Sequence, residues 1–180
     1  KKAHIADKMY LKPGMKVLDM TYGHGVFWKH IGKGPYDVVR NDLDPKLGDV
    51  HEDFRYTSYD VCTFDIVVLD PPYASRSSNK RSLIGARYNN ANHHLDTVTD
   101  MLNYYRSGMS EAQRILKPDG LLMVKCMDEV AGGRQYRHHI NLRGYATENL
   151  GMEDMDLFIL VQSGKPTMRH EYQIHARKNN

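Results

Sequence analysis

The chain has 180 residues, 41% of them hydrophobic and 26% charged, with a formal net charge of +3. That length predicts one domain spanning residues 1–180, with room for a sheet covered by helices on both faces. No run of about 18 apolar residues is present to span a membrane. The opening residues lack the apolar core of a signal peptide. Cys62 and Cys126 have neither metal-ligand nor redox-motif spacing, so reduced thiols and a cytoplasmic location are expected.

In chain order, a turn at Pro13-Gly14 leads into a short apolar strand over 16–20. Residues 26–31 can start a helix, which Gly32 and Gly34-Pro35 would end. A second strand is expected over 36–41 and a short third one near 54–58. The clearest strand is 64–70, an almost unbroken β-branched run of the kind buried on both faces of a parallel sheet. After a long polar loop, Val98, Met101, Leu102, Tyr105, Met109, Ala112 and Leu116 recur at helical spacing, predicting a helix over 95–116. Lys117-Pro118-Asp119-Gly120 should stop it and turn into a strand over 121–126. A helix over 137–142 and a strand over 157–161 follow. The final residues stop about where a seventh strand is expected, so the sheet edge is expected to be incomplete. This alternation predicts an α/β fold, a doubly wound and mostly parallel sheet with helices on both faces. Ligands of such sheets bind beyond the carboxyl ends of the strands.

At the end of the first strand stand Asp19, Met20, Thr21, Gly23 and Gly25. Two glycines one residue apart permit a tight turn and let a ligand approach the backbone. A dinucleotide fingerprint would need a third glycine where Trp28 stands. The acid ahead of the loop suits a cationic ligand, and S-adenosylmethionine, with a sulfonium and an ammonium, is such a ligand. Asp42, at the end of the second strand, can accept both hydroxyls of a ribose. Asp44 competes for that role or caps the turn before Pro45. Asp60 is a candidate partner for the adenine amino group.

The fourth expected strand runs into Asp70-Pro71-Pro72-Tyr73. With the glycine loop, this tetrapeptide resembles the class I S-adenosylmethionine-dependent amino-methyltransferases of DNA and RNA, in particular the DNA adenine-N6 and cytosine-N4 enzymes. The resemblance extends from about Lys16 to Val161 and implies a Rossmann-like fold with S-adenosylmethionine as cofactor. It further implies that Asp70, Pro71, Pro72 and Tyr73 are catalytic, with Asp70 also bordering the cofactor. The chemistry explains the residue types. An exocyclic amine is a poor nucleophile because its lone pair is delocalised into the ring. The Asp70 carboxylate and a carbonyl near Pro71 can accept its two N–H bonds, and two prolines preorganise that pair. Tyr73 offers a flat face for a flipped base. No cysteine nucleophile stands here, which argues against cytosine C5 chemistry.

Residues 74–94 follow directly and carry Arg76, Lys80, Arg81 and Arg87 without an acid, together with Tyr88. These five are the candidate nucleic-acid contacts. Residues 165–180 add Lys165, Arg169, Arg177 and Lys178 against Glu171. Lys125 either lines the same cleft or snorkels at the surface. The histidine pairs 93–94 and 138–139 are adjacent in sequence and no acid or cysteine completes a site, so no metal is assigned. Three functions remain open. The first is DNA amino-methylation, with DNA favoured over RNA. The second is RNA methylation at adenine N6 or guanine N2. The third is a non-catalytic S-adenosylmethionine-binding subunit. No insertion is large enough for a separate recognition region, so specificity falls to the basic loop, a homodimer partner or a separate specificity subunit.

Overall fold

The computed structural model describes residues 9–29, 34–71, 95–161 and 170–180. Its main sheet contains β1 (Lys16–Asp19), β2 (Asp37–Arg40), β3 (Phe64–Leu69), β4 (Leu116–Met127), β7 (Glu153–Val161) and β8 (His170–Arg177), in the order β2-β1-β3-β4-β8-β7. The first four are parallel, and β8 runs antiparallel to both β4 and β7. The short hairpin β5 (Glu129–Ala131) and β6 (Arg134–Tyr136) follows β4. Helix α1 (Val98–Ile115) crosses from β3 to β4, and α2 (His138–Gly144) continues into a π-helical turn, Tyr145–Asn149.

The pleat divides the core in two. Leu18, Val67, Leu69, Leu122, Val124 and Ile174 face α1 and α2, where Met101, Tyr105, Met109 and Ile115 of α1 and Leu142 of α2 pack against them. Val17, Ile66, Val68, Leu121 and Met123 face the other way, toward Tyr10, Met15, Phe27, Trp28 and Tyr36. Both described helices therefore lie on one face, while turns and coil cover the second among the described residues. Helix α1 begins with a reciprocal cap: Asp100 N–H donates to Thr97 Oγ1, and the Asp100 carboxylate accepts the Thr97 N–H.

Four local expectations change. Residues 26–29 form turns, because Trp28 folds back with its N–H on the Gly25 carbonyl. Residues 54–58 pair with no strand; only Val50 bridges Asn41. There, Asp53 accepts the Arg55 N–H and Glu111 accepts the Thr57 N–H, and such side-chain bonds compete with a ladder. Pairing of β4 begins at Leu116, before the expected turn, which becomes a bulge with Asp119 at φ 60°. Finally, residues 170–177 form the strand expected to be missing, inserted antiparallel between β4 and β7.

Candidate active site

The carboxyl ends of β1, β2 and β3 bring Asp42 and Asp70 within electrostatic reach of Asp19. Asp19 is 1% exposed. Its carboxylate accepts the Thr21 N–H at 3.0 Å and the Trp28 indole N–H at 2.6 Å. Burial pushes its pKa up to about 7, against those two hydrogen bonds and with added repulsion from Asp70 and Asp42. Trp28 therefore holds one oxygen of the buried Asp19 carboxylate through its indole N–H. The clue in the sequence was a donor-bearing aromatic at the position a dinucleotide fingerprint reserves for glycine.

Asp42 holds the glycine loop itself, with Oδ2 accepting the Gly23 N–H at 2.8 Å and Oδ1 accepting the Asp44 N–H at 2.9 Å. Gly23 and Gly25 stand at φ 56° and 65°, left-handed conformations that favour glycine. Asp44 caps its own turn, accepting the Lys46 N–H. Asn41, which attracted no attention in the sequence, is fully buried. It donates to the Met20 and Glu52 carbonyls and accepts the Glu52 N–H, tying the loops after β1 and β2 together.

Asp70 stands at the end of β3, where its N–H donates to Thr21 Oγ1 at 2.7 Å. Lys125 Nζ donates to both carboxylate oxygens at 2.8 Å. Lys125 is 7% exposed, and its carbonyl accepts the Tyr105 hydroxyl from α1. Of the two readings open for Lys125, the structure gives the cleft. The pair is preorganised on one side by the loop after β1 and on the other by the helix that follows.

Two residues expected to meet the cofactor are otherwise engaged or stand elsewhere. Met20 has its side chain in the α1-facing core, its N–H on the Val68 carbonyl and its carbonyl on Asn41. Asp60 is exposed in the turn before β3, next to Cys62 and Thr63, whose N–H groups bond the last residues of α1. That is the amino edge of the sheet, opposite the carboxylate cluster. Besides Asp42, Asp44 and Asp49, the segment after β2 carries Glu52 and Asp53, with the Glu52 backbone bonded to Asn41. Arg177 and Lys178 also lie at the amino edge, where Arg177 pairs with Glu153 and Lys178 Nζ donates to the Leu116 carbonyl. Pro71 is buried. Pro72, Tyr73, Arg76, Lys80, Arg81, Arg87 and Tyr88 lie outside the described residues. The histidines at 138 and 139 are engaged with Glu129 and Asp128, respectively.

Similarity to known proteins agrees with this geometry. Solved structures with the same fold include an S-adenosylmethionine-dependent methyltransferase from Methanosarcina mazei (14% identity, 97% of each chain, TM-score 0.64). Another is a 1,6-didemethyltoxoflavin-N1-methyltransferase from Burkholderia thailandensis with bound S-adenosylhomocysteine (14% identity, 99% of this chain and 77% of the other, TM-score 0.62). The [4+2]-cyclase SpnF is as similar (13% identity, 98% and 80%, TM-score 0.64), so this likeness carries the fold and not the reaction. No protein of curated function matches the chain. The sequence pattern described as DNA methylase matches residues 64–180, from β3 and Asp70 to the last residue. The chain therefore belongs to the DNA methylase family, built on the fold of class I S-adenosylmethionine-dependent methyltransferases.

Proposed function

We propose that this chain transfers a methyl group from S-adenosylmethionine to an exocyclic amino group of a DNA base, adenine N6 or cytosine N4. The observation that carries the reading is Asp70, its carboxylate held by Lys125 and its backbone N–H by Thr21, at the carboxyl edge of the sheet in a chain of the DNA methylase family.

The donor set fits the cofactor. Three carboxylates converge, and burial, with repulsion from the other two, pushes Asp19 up to about 7, so a cationic ligand beside it would favour its ionised form. Asp19 would face the cationic amino acid portion and Asp42 the ribose hydroxyls, with Gly23 and Gly25 allowing close approach. When bound, the cofactor supplies an electrophilic methyl group. Asp70 accepts an N–H of the amine and so returns electron density to nitrogen. Lys125, bonded to both carboxylate oxygens, holds Asp70 in place while it does so. As the nitrogen gains the methyl, it gives up a proton along its hydrogen bond to Asp70, from which the proton passes to solvent. Tyr73 offers the stacking face, and the cations of residues 74–94 hold the phosphates of the flipped strand.

Asp70→Ala tests this. The expected result is a loss of transfer on the order of 10²–10³-fold or more, with affinity for S-adenosylhomocysteine within a few-fold of the parent. Loss of cofactor binding with proportionate loss of rate would instead make Asp70 a cofactor ligand only.

A further inference from the structure

The hairpin β5–β6 leaves the same edge as the candidate site, four residues beyond Lys125 on the chain. Its register is Glu129↔Tyr136, Val130↔Gln135 and Ala131↔Arg134. The tip is Gly132-Gly133, with φ of 58° and 76°. Positive φ at both central residues is the two-residue turn that matches strand twist. A Cβ placed on either glycine would have open space around it, so the tip stands clear of the body.

The base of the hairpin is anchored. Glu129, 5% exposed, accepts a bond from buried His138 at 3.0 Å. Asp128 pairs with His139 Nδ1 at 2.7 Å, and the Tyr172 ring of β8 stacks on His139 at 3.9 Å. These pairs also settle the charge of the exposed surface. The single acid of residues 129–137 is turned inward, whereas Arg134, Gln135 and Arg137 are exposed and Val130 is 62% exposed. Arg134 lies over the Tyr136 ring at 5.7 Å, which holds its guanidinium along the ribbon.

We propose that this hairpin reads the DNA duplex beside the target base by entering the major groove tip first, with Arg134 on one face of the ribbon and Gln135, beside Val130, on the other, each meeting base edges. The inference rests on the proposed nucleic-acid substrate. A two-stranded ribbon fits a major groove, glutamine pairs with adenine and arginine with guanine. Three residues per strand extend about 10 Å, against a groove depth of roughly 8.5 Å. The division of labour follows: the basic stretch 74–94 engages the backbone, and the rigid hairpin supplies sequence preference.

The test uses a dye-labelled DNA duplex pool with a randomised segment, the whole chain, and the variant Arg134→Ala with Gln135→Ala. Both residues are exposed, and unchanged affinity for S-adenosylhomocysteine reports an intact fold. Gln135→Glu serves as a second variant. The expected result is a fall in duplex affinity of about five- to a hundredfold with relaxed base preference at one or two positions of the selected sequences. Wild-type affinity and base preference in both variants would overturn the inference, as would failure of the parent protein to bind duplex. Equal affinity for duplex RNA would overturn it too, because the A-form major groove is too narrow for side chains to read. Hairpin-dependent duplex binding without any methylated base would support the inference and sink the methyl-transfer reading instead.

Discussion

Asp19 shows how a single residue stores the specificity of a site. Its carboxyl ionises near 3.8 in an unfolded chain and near 7 in the folded one, so between those values the native state binds the extra proton. The stabilisation from the neutral form is complete below about pH 4 and is lost as pH rises through 7. A ligand-free Asp19→Asn variant should therefore melt higher than the parent at pH 8 and close to it at pH 5. Its affinity for S-adenosylmethionine should be weaker at both values. In the parent, affinity should rise with pH through about 7 and then level off, because the cation needs the ionised carboxylate. A calorimetric titration that found affinity flat from pH 6 to 8 would remove Asp19 from the binding site. The acid ahead of the glycine loop was legible from the sequence, but its partner was not. Trp28 reads as a packing residue, and only the turn that folds it back onto β1 shows that its N–H serves Asp19.

At the scale of elements, α1 was legible because its buried face repeats at three- and four-residue spacing. Gly108 interrupts that face for a steric reason: a Cβ there would lie 2.5 Å from the Phe54 ring and 3.3 Å from Leu69 Cδ1. Phe54 cannot yield freely, since its ring packs edge-on against Tyr104 at 4.7 Å. Alanine would gain roughly 0.8–1 kcal/mol in helix propensity, while overpacking costs about 1–3 kcal/mol. Gly108→Ala should accordingly lower stability by about 1 kcal/mol in urea unfolding, and a stabilised variant would show that Phe54 has room to move. The strand 170–177 was missed because Glu171, Gln173 and His175 alternate with Tyr172, Ile174 and Ala176. That polar set reads as a solvent face, yet all three are buried. Burial holds His175 neutral, with its pKa lowered to about 4. The third expected strand failed for the opposite reason: Asp53 and Glu111 supply bonds that a ladder would otherwise make.

For the molecule as a whole, a net charge of +3 says little, and what matters is where the charges fall. The tail cations 177 and 178 are at the amino edge and bond to neighbouring residues, so these two do not extend the basic surface toward Asp70; Lys165 and Arg169 lie outside the described residues. Residues 74–94 and the β5–β6 hairpin are the segments proposed to meet a polyanion. Each phosphate contact contributes about 0.9 to the slope of log affinity against log salt. Arg81→Ala with Arg87→Ala should therefore weaken DNA binding and flatten that slope by up to about 1.8. An unchanged slope would take both side chains out of the interface. The fold order and the tetrapeptide were legible because parallel strands are written as apolar runs with their functional residues at the ends. The Lys125–Asp70 pairing was not, since it joins residues 55 positions apart.

The measurement that bears most directly on the central claim is transfer of a labelled methyl group from S-adenosylmethionine to DNA and, in a separate reaction, to RNA, followed by digestion and identification of the modified nucleosides. N6-methyladenine or N4-methylcytosine in the DNA, absent from the Asp70→Ala reaction, is the predicted result. Label confined to RNA, or absent from both nucleic acids although the cofactor binds, would contradict it.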